Sequence, residues 1–220
     1  VDGDGALDVL VAAFGGDTIS WYKNDGSQNF VENIVTSTAD GASDVLARDL
    51  DGDGDMDLLS ASNVDDTVAW YENDGNEAFT KHVITTTADG VFSIAVGDVD
   101  GDGDLDILSA SYHDDTVAWY ENDGSQNFTK RTIDATVDGA SKVSVADIDD
   151  DGQLDVLVAS TNDNTIAWYK NDGSGSFTKN IVSSAAGGAR AAVATDLDND
   201  GDLDIAFAAG GINRIGWHEN

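Results

Sequence analysis

The chain has 220 residues, 40% of them apolar, which is enough to bury a sizeable core, and its 43 Asp and Glu against 10 Lys and Arg give a formal net charge of −33. That balance argues against nucleic acid, whose phosphates need cationic neutralisation, and against anionic membrane surfaces. There is no Cys to report a redox compartment, and no apolar run is long enough to cross a bilayer.

The chain opens on VDGDGALD, an acidic run that returns with a constant 49-residue step. The later copies are DLDGDGDMD (Asp49 to Asp57), DVDGDGDLD (Asp98 to Asp106), DIDDDGQLD (Asp147 to Asp155) and DLDNDGDLD (Asp196 to Asp204). A Trp column at Trp21, Trp70, Trp119, Trp168 and Trp217 keeps the same register. Beside it run Tyr22, Tyr71, Tyr120 and Tyr169, with His218 breaking the series, and Phe30, Phe79, Phe128 and Phe177 follow. A period of this length indicates a solenoid, a propeller or an array. The start inside a motif, without Met, reads as a mature or clipped chain.

In chain order, three strand-like runs precede Ser43, three full sets of four follow, and three runs close the chain. The third repeat shows the plan. SIAVGD (Ser93 to Asp98) enters the acidic loop and LDILSAS (Leu105 to Ser111) leaves it. After a turn at Asp114 and Asp115 come TVAWYEN (Thr116 to Asn122), a hairpin at Asp123-Gly124, and FTKRTI (Phe128 to Ile133). Asp-Gly between β-rich runs predicts a tight hairpin with positive φ at both central residues. The runs are short, rich in Val, Ile, Thr, Trp and Tyr, and bounded by Gly, Asn and Asp, so nothing in them reads as helical. Apolar residues at consecutive positions, as in Val68-Ala69-Trp70-Tyr71, imply a sheet covered on both faces. The expected fold is all-β: a β-propeller of four-stranded antiparallel blades. Five blades are favoured over six or seven, because the chain already touches five. The expected organisation is one domain over residues 1–220, with a partial blade at 1–42, blades at 43–91, 92–140 and 141–189, and a partial blade at 190–220.

Side chains at alternate positions of a tight loop can converge on a hard cation, which takes six to eight oxygens. In the copy at Asp49 the converging carboxylates are Asp49, Asp51, Asp53 and Asp57, with Asp55 offering its backbone carbonyl. The seventh position varies (Ala6, Asp55, Asp104, Gln153, Asp202), the ninth is always Asp, and the sixth is always Gly, where the backbone must turn sharply. This D-x-D-x-D-G-x-x-D loop, repeated with W-Y-x-N-D-G, resembles the FG-GAP or VCBS repeats of integrin α-subunit-like β-propellers. The resemblance covers essentially the whole chain. It implies calcium held between the first and second strands of each blade, at Asp49/Asp51/Asp53/Asp55/Asp57, Asp98/Asp100/Asp102/Asp104/Asp106, Asp147/Asp149/Asp151/Gln153/Asp155 and Asp196/Asp198/Asp200/Asp202/Asp204. The N-terminal copy, with Asp2, Asp4, Ala6 and Asp8, lacks its leading aspartate and makes an incomplete fifth site.

Catalytic signals are sparse. His82, His113 and His218 occupy different repeat positions, no Cys is present, and no Ser lies in a G-x-S-x-G elbow. The expectation is a calcium-stabilised binding module, secreted or at the cell surface, that is not an enzyme. A glycan is the favoured partner, read from the even repeats and the aromatic column. The alternatives are an integrin-like protein-adhesion module and a polysaccharide lyase scaffold or accessory domain of a secreted enzyme. Trp is expected in the core between blades, with the Tyr hydroxyls at a wetter edge. Partners of integrin propellers engage the side away from the metal loops. Tyr112 and His113, which differ from their repeat mates there, are the candidate ligand residues. Open strand edges make a dimer conceivable as well as a monomer.

Overall fold

The computed structural model describes all 220 residues. Strands form where β-branched and aromatic residues cluster. β1 (Val9–Ala13), β2 (Thr18–Asn24) and β3 (Phe30–Thr36) make a three-stranded sheet. β4 (Ala42–Arg48), β5 (Asp57–Ser62), β6 (Thr67–Asn73) and β7 (Phe79–Thr85) make a four-stranded one. Two further sheets of four are β8 (Val91–Gly97), β9 (Asp106–Ser111), β10 (Thr116–Asn122) and β11 (Phe128–Asp134), then β12 (Ala140–Ala146), β13 (Asp155–Ser160), β14 (Thr165–Asn171) and β15 (Phe177–Ser183). The last sheet has three strands, β16 (Ala189–Thr195), β17 (Asp204–Ala209) and β18 (Arg214–His218). Strands pair antiparallel in sequence order within each sheet. The chain is therefore all-β, built of β-propeller blades, with the strand sets in the order the repeats require.

The residues form two compact units, Val1–Phe92 and Ser93–Asn220. In the first, Ile19, Leu58, Ala69 and Tyr71 form a core with Leu10, Ala12 and Val45 packed against it. In the second, Leu108, Trp119, Val143, Val156 and Tyr169 form one core, while Leu157, Ile166, Ala192, Ile205 and Phe207 form another. Both faces of the inner sheets are buried, as the consecutive apolar positions demand. The single Ser141 hydroxyl proton is shared between Ala159 O within its sheet and Ala189 O in the next, with Oγ 3.0 and 3.1 Å from them, stitching the two together.

Trp21, Trp70 and Trp119 are core residues and Trp168 is partly buried. Trp217, on the face of the last sheet, is 47% exposed. Tyr22 is only partly buried, but the other tyrosines of the column differ from expectation. Tyr71, Tyr120 and Tyr169 are buried to the ring tip, and their hydroxyls meet Ser60 at 3.3 Å, Ser109 at 3.4 Å and Asp134 at 2.8 Å. A serine two strand positions away supplies the polar partner of Tyr71 and Tyr120, and the Asp134 carboxylate that of Tyr169, so these hydroxyls need no wet edge.

The hairpins also differ from the two-residue turn. Between β6 and β7 the loop runs from Asp74 to Ala78, closed by Asp74 N donating to Ala78 O at 3.1 Å. Asp74 Oδ1 accepts from Asn76 N and Ala78 N, and positive φ falls on Gly75 and Glu77 rather than on Asp74 and Gly75. The aspartate side chain caps a longer loop in place of taking a left-handed turn position.

Candidate metal loops and ligand face

Each complete acidic loop joins the first strand of a sheet to the second, and the hairpin after the third strand reaches the same end of that sheet. The ninth aspartate locks the two together. Asp57 Oδ2 accepts from Leu50 N at 3.0 Å and Oδ1 from Asn73 N at 2.8 Å. Asp106 does the same with Val99 and Asn122, Asp155 with Ile148 and Asn171, and Asp204 with Leu197 and Asn220. Asp8 keeps the second bond, from Asn24 N at 2.8 Å. Burial pushes the carboxyls of Asp57 and Asp106 up to about 6, against the pull of those N–H donors.

The first aspartate shapes the loop. Asp49 accepts from Gly52 N at 2.8 Å and Gly54 N at 3.0 Å, and Asp98 from Gly101 N and Gly103 N at 2.8 and 3.1 Å. Asp147 and Asp196 hold their loops likewise, through Asp151 N and Gly152 N, and through Asn199 N and Gly201 N. Gly54 sits at φ +100° and Gly103 at +99°, a left-handed backbone that only glycine adopts without strain.

Carboxylate oxygens converge within 4.8 Å of one another in Asp49/Asp51/Asp53, Asp98/Asp100/Asp106, Asp147/Asp149/Asp155 and Asp196/Asp198/Asp204. The remaining expected ligands turn partly inward on the loop. Asp102, Asp151 and Asp200 each accept from the N–H two residues on, at 2.9, 3.0 and 3.1 Å. The side chains of Asp55, Asp104 and Gln153 lie over the hairpin glycines Gly75, Gly124 and Gly173, and Asp202 lines a cleft with Asp147 and Asn220. In the first copy Asp2, Asp4 and Asp8 form no such cluster, and Ala6 has no side-chain donor. Asp4 accepts from Ala6 N, and Asp2 is taken by Lys23 at 2.7 Å.

The four clusters fit a divalent ion. Their donors are carboxylate oxygens throughout, the chemistry of a hard cation. Burial and then the neighbouring charges of Asp53, Asp49 and Glu72 raise the carboxyl of Asp51, and Asp100 is raised in the same way with Glu121 among the causes. A cation would relieve that crowding. Further charged residues border the loops. Glu219 lies within 4.8 Å of Asp198 and Asp200, and the Lys170 ammonium is bonded to Asp149 and, at 3.0 Å, to Asp151. Lys23, Glu72, Glu121, Lys170 and Glu219 form one 49-residue column next to the Trp–Tyr pair. A charge at that position in every copy is the signal that would have found them.

At the opposite end of the sheets, left-handed residues Asp66, Asp115 and Asn164 use their side chains to hold Gly90 N, Gly139 N and Gly188 N at 2.8–2.9 Å. Tyr112 donates to Asn162 Oδ1 at 2.9 Å, and Asn162 Nδ2 donates to Asp138 Oδ1 at 2.9 Å. His113 is edge-on to Tyr112, with ring centroids 5.7 Å apart. Tyr112 thus joins a polar constellation built from two sheets of the second unit.

FG-GAP-like repeat models match residues 1–60, 49–109, 98–158 and 147–207. The chain belongs to the FG-GAP-like repeat family. Repeat propellers of this kind serve as binding or scaffold modules, and each matched segment spans two successive acidic loops. Among curated proteins none matches. Solved structures resemble the fold at low identity. A catalytically inactive virginiamycin B lyase from Staphylococcus aureus, with quinupristin, aligns at 13% identity and TM-score 0.69, over 98% of this chain and 64% of its own. A proposed 6-phosphogluconolactonase from Bacteroides uniformis aligns at 14% and 0.67, over 99% and 65%. A streptogramin B lyase aligns at 15% and 0.59, over 97% and 76%. The chain spans less than two thirds of the first two. The expectation that it is not an enzyme is corrected by these matches, because proteins named as enzymes share its fold. At such identities the likeness shows the fold alone and assigns no reaction. No helix is long and apolar enough to cross a membrane.

Proposed function

We propose that the chain is a calcium-stabilised extracellular binding module whose ligand is a glycan. The observation that carries the calcium reading is the convergence of carboxylates in all four complete loops. Millimolar free calcium outside cells suits short, solvent-open loops of this kind. The ion would be held by the loops of Asp49, Asp98, Asp147 and Asp196, and it would clamp the first two strands of each sheet.

The glycan reading cannot rest on the Trp column, since Trp21, Trp70 and Trp119 are buried. It rests on Tyr112, Asn162 and Asp138, an aromatic ring beside an amide and a carboxylate, which suits the apolar face and the hydroxyls of a sugar. His113 extends the aromatic surface. A glycan array read with calcium and with EGTA, for the parent and Tyr112→Ala, tests the reading. Binding lost in the variant supports it. An array with no bound glycan, together with capture of an extracellular protein partner, replaces it with a protein-adhesion reading.

Thermal unfolding tests the clamp. Like charges about 4 Å apart cost about 1–4 kcal/mol per pair, depending on the local dielectric. EGTA should therefore lower the melting temperature and excess calcium restore it, whereas identical curves would remove the calcium reading.

A further inference from the structure

We propose that the residue two places after the repeated Trp sets how tightly each acidic loop holds its cation: Glu72, Glu121 and Glu219 favour it, and Lys23 and Lys170 oppose it. This rests on the loops being metal sites. It divides loops that share one motif into two classes, which the motif itself does not do.

The geometry follows from strand register. Leu58 pairs with Tyr71, so the next residue, Glu72, comes level with Asp57 at the mouth of the Asp49 loop. The same register, Ile107 with Tyr120 and Val156 with Tyr169, places Glu121 and Lys170 at the mouths of the Asp98 and Asp147 loops. What each side chain does there is visible in the contacts. Glu219 brings a third carboxylate to Asp198 and Asp200. The Lys170 ammonium instead bridges Asp149 and Asp151, the third and fifth loop positions. Lys23 binds Asp2, the same loop position as Asp149, at 2.7 Å, so the lysine contact is made twice by independent copies.

An ammonium seated between two loop carboxylates does part of what a cation would do, and an incoming ion must displace it. Exchanging Glu for Lys there changes the charge facing the ion by two units, and ligand charge is one of the quantities that tunes the affinity of calcium loops over decades. His82 and Arg131 share the carboxylates of Glu72 and Glu121. That narrows the difference without reversing it, because each loop still meets a carboxylate where Lys170 presents an ammonium. The Asp147 loop is therefore the weak site among the four, and the first copy is held by its own lysine.

Calorimetric titration of the 220-residue chain with calcium tests this. The expected result is three tight sites and one weaker by about tenfold or more. Lys170→Glu should bring the fourth into the tight class, Lys170→Gln should move it part of the way, and Glu219→Lys should take one site out. The glutamine variant keeps the test open if the reversed charge disturbs folding. Four sites of equal affinity, unchanged in all three variants, overturn the lysine inference and leave the metal reading standing. A parent chain that binds no calcium overturns both.

Discussion

Replacing Asp106 by Asn should destabilise the fold even with calcium removed. Asp106 has no exposed surface, and its two carboxylate oxygens separately accept Val99 N at 3.0 Å and Asn122 N at 2.8 Å. These bonds tie the start of the acidic loop and the end of β10 to the start of β9. Asparagine is isosteric, but it offers one oxygen and one NH2. One backbone N–H must then face another donor, at a cost of about 1–3 kcal/mol, and the surviving bond loses its charge assistance, for a total of about 2–4 kcal/mol. At about 2–4 °C per kcal/mol for a chain of this length, the melting temperature should fall by roughly 5–15 °C. The assay is differential scanning calorimetry in EGTA, with Asp102→Asn as the comparison. Asp102 accepts only Asp104 N, in an exposed loop, and its neutralisation relieves repulsion. The reasoning fails if Asp106→Asn melts with the parent, or if Asp102→Asn costs more.

Four further substitutions probe the scaffold. Asp134 stands where the other copies have Thr36, Thr85 and Ser183; burial works against its charge, but bonds from Thr136, Lys179 and Tyr169 hold its carboxyl down to about 2. A depressed carboxyl stabilises above its unfolded value and loses that contribution as pH falls through the folded one. Asp134→Asn should therefore cost about 1–2 kcal/mol at pH 6, and the gap should close between about pH 4 and 2 in urea titrations. Trp119→Ala should cost about 3–5 kcal/mol by leaving a core cavity, whereas the half-exposed Trp217→Ala should cost less than about 1.5 kcal/mol, read from urea midpoints. A methyl group at Gly97 would come within 2.7 Å of Leu154 Cδ1 and 3.1 Å of Val145 Cγ2, so Gly97→Ala should lose about 1–3 kcal/mol by overpacking. Equal midpoints for Gly97→Ala and the parent would mean the two sheets can shift apart freely.

The repeat made the architecture legible. A Trp every 49 residues fixed the register, and consecutive apolar positions on the strand beside it required cover on both faces. Buried β6, β10 and β14 meet that requirement. What the letters hid were partnerships across strands. The Tyr71 and Tyr120 hydroxyls read as belonging to a wetter edge because their buried partners, Ser60 and Ser109, lie eleven residues away on the paired strand. The Asn-Asp-Gly hairpins looked like two-residue turns because the composition is the same, although the Asp side chain closes a loop three residues longer. The Trp of the aromatic column are expected between blades, and Trp21, Trp70 and Trp119 are buried as that requires, which leaves the column no sugar-facing role at those positions.

The ninth aspartate shows why loop and fold cannot be separated. Both its oxygens are already committed to backbone donors on two strands, yet Asp106, Asp155 and Asp204 also belong to the converging carboxylate sets. At Asp106 and Asp155 a cation would draw on a group whose charge burial already disfavours and which the sheet needs ionised to accept both bonds. Binding and folding would then stabilise the same protonation state, each favouring the other. The variable residue at the loop mouth lies outside this coupling, since the side chains of Lys170 and Glu219 meet loop carboxylates other than the ninth. Repeats built this way can keep one scaffold in every copy while the charge at each loop mouth varies independently.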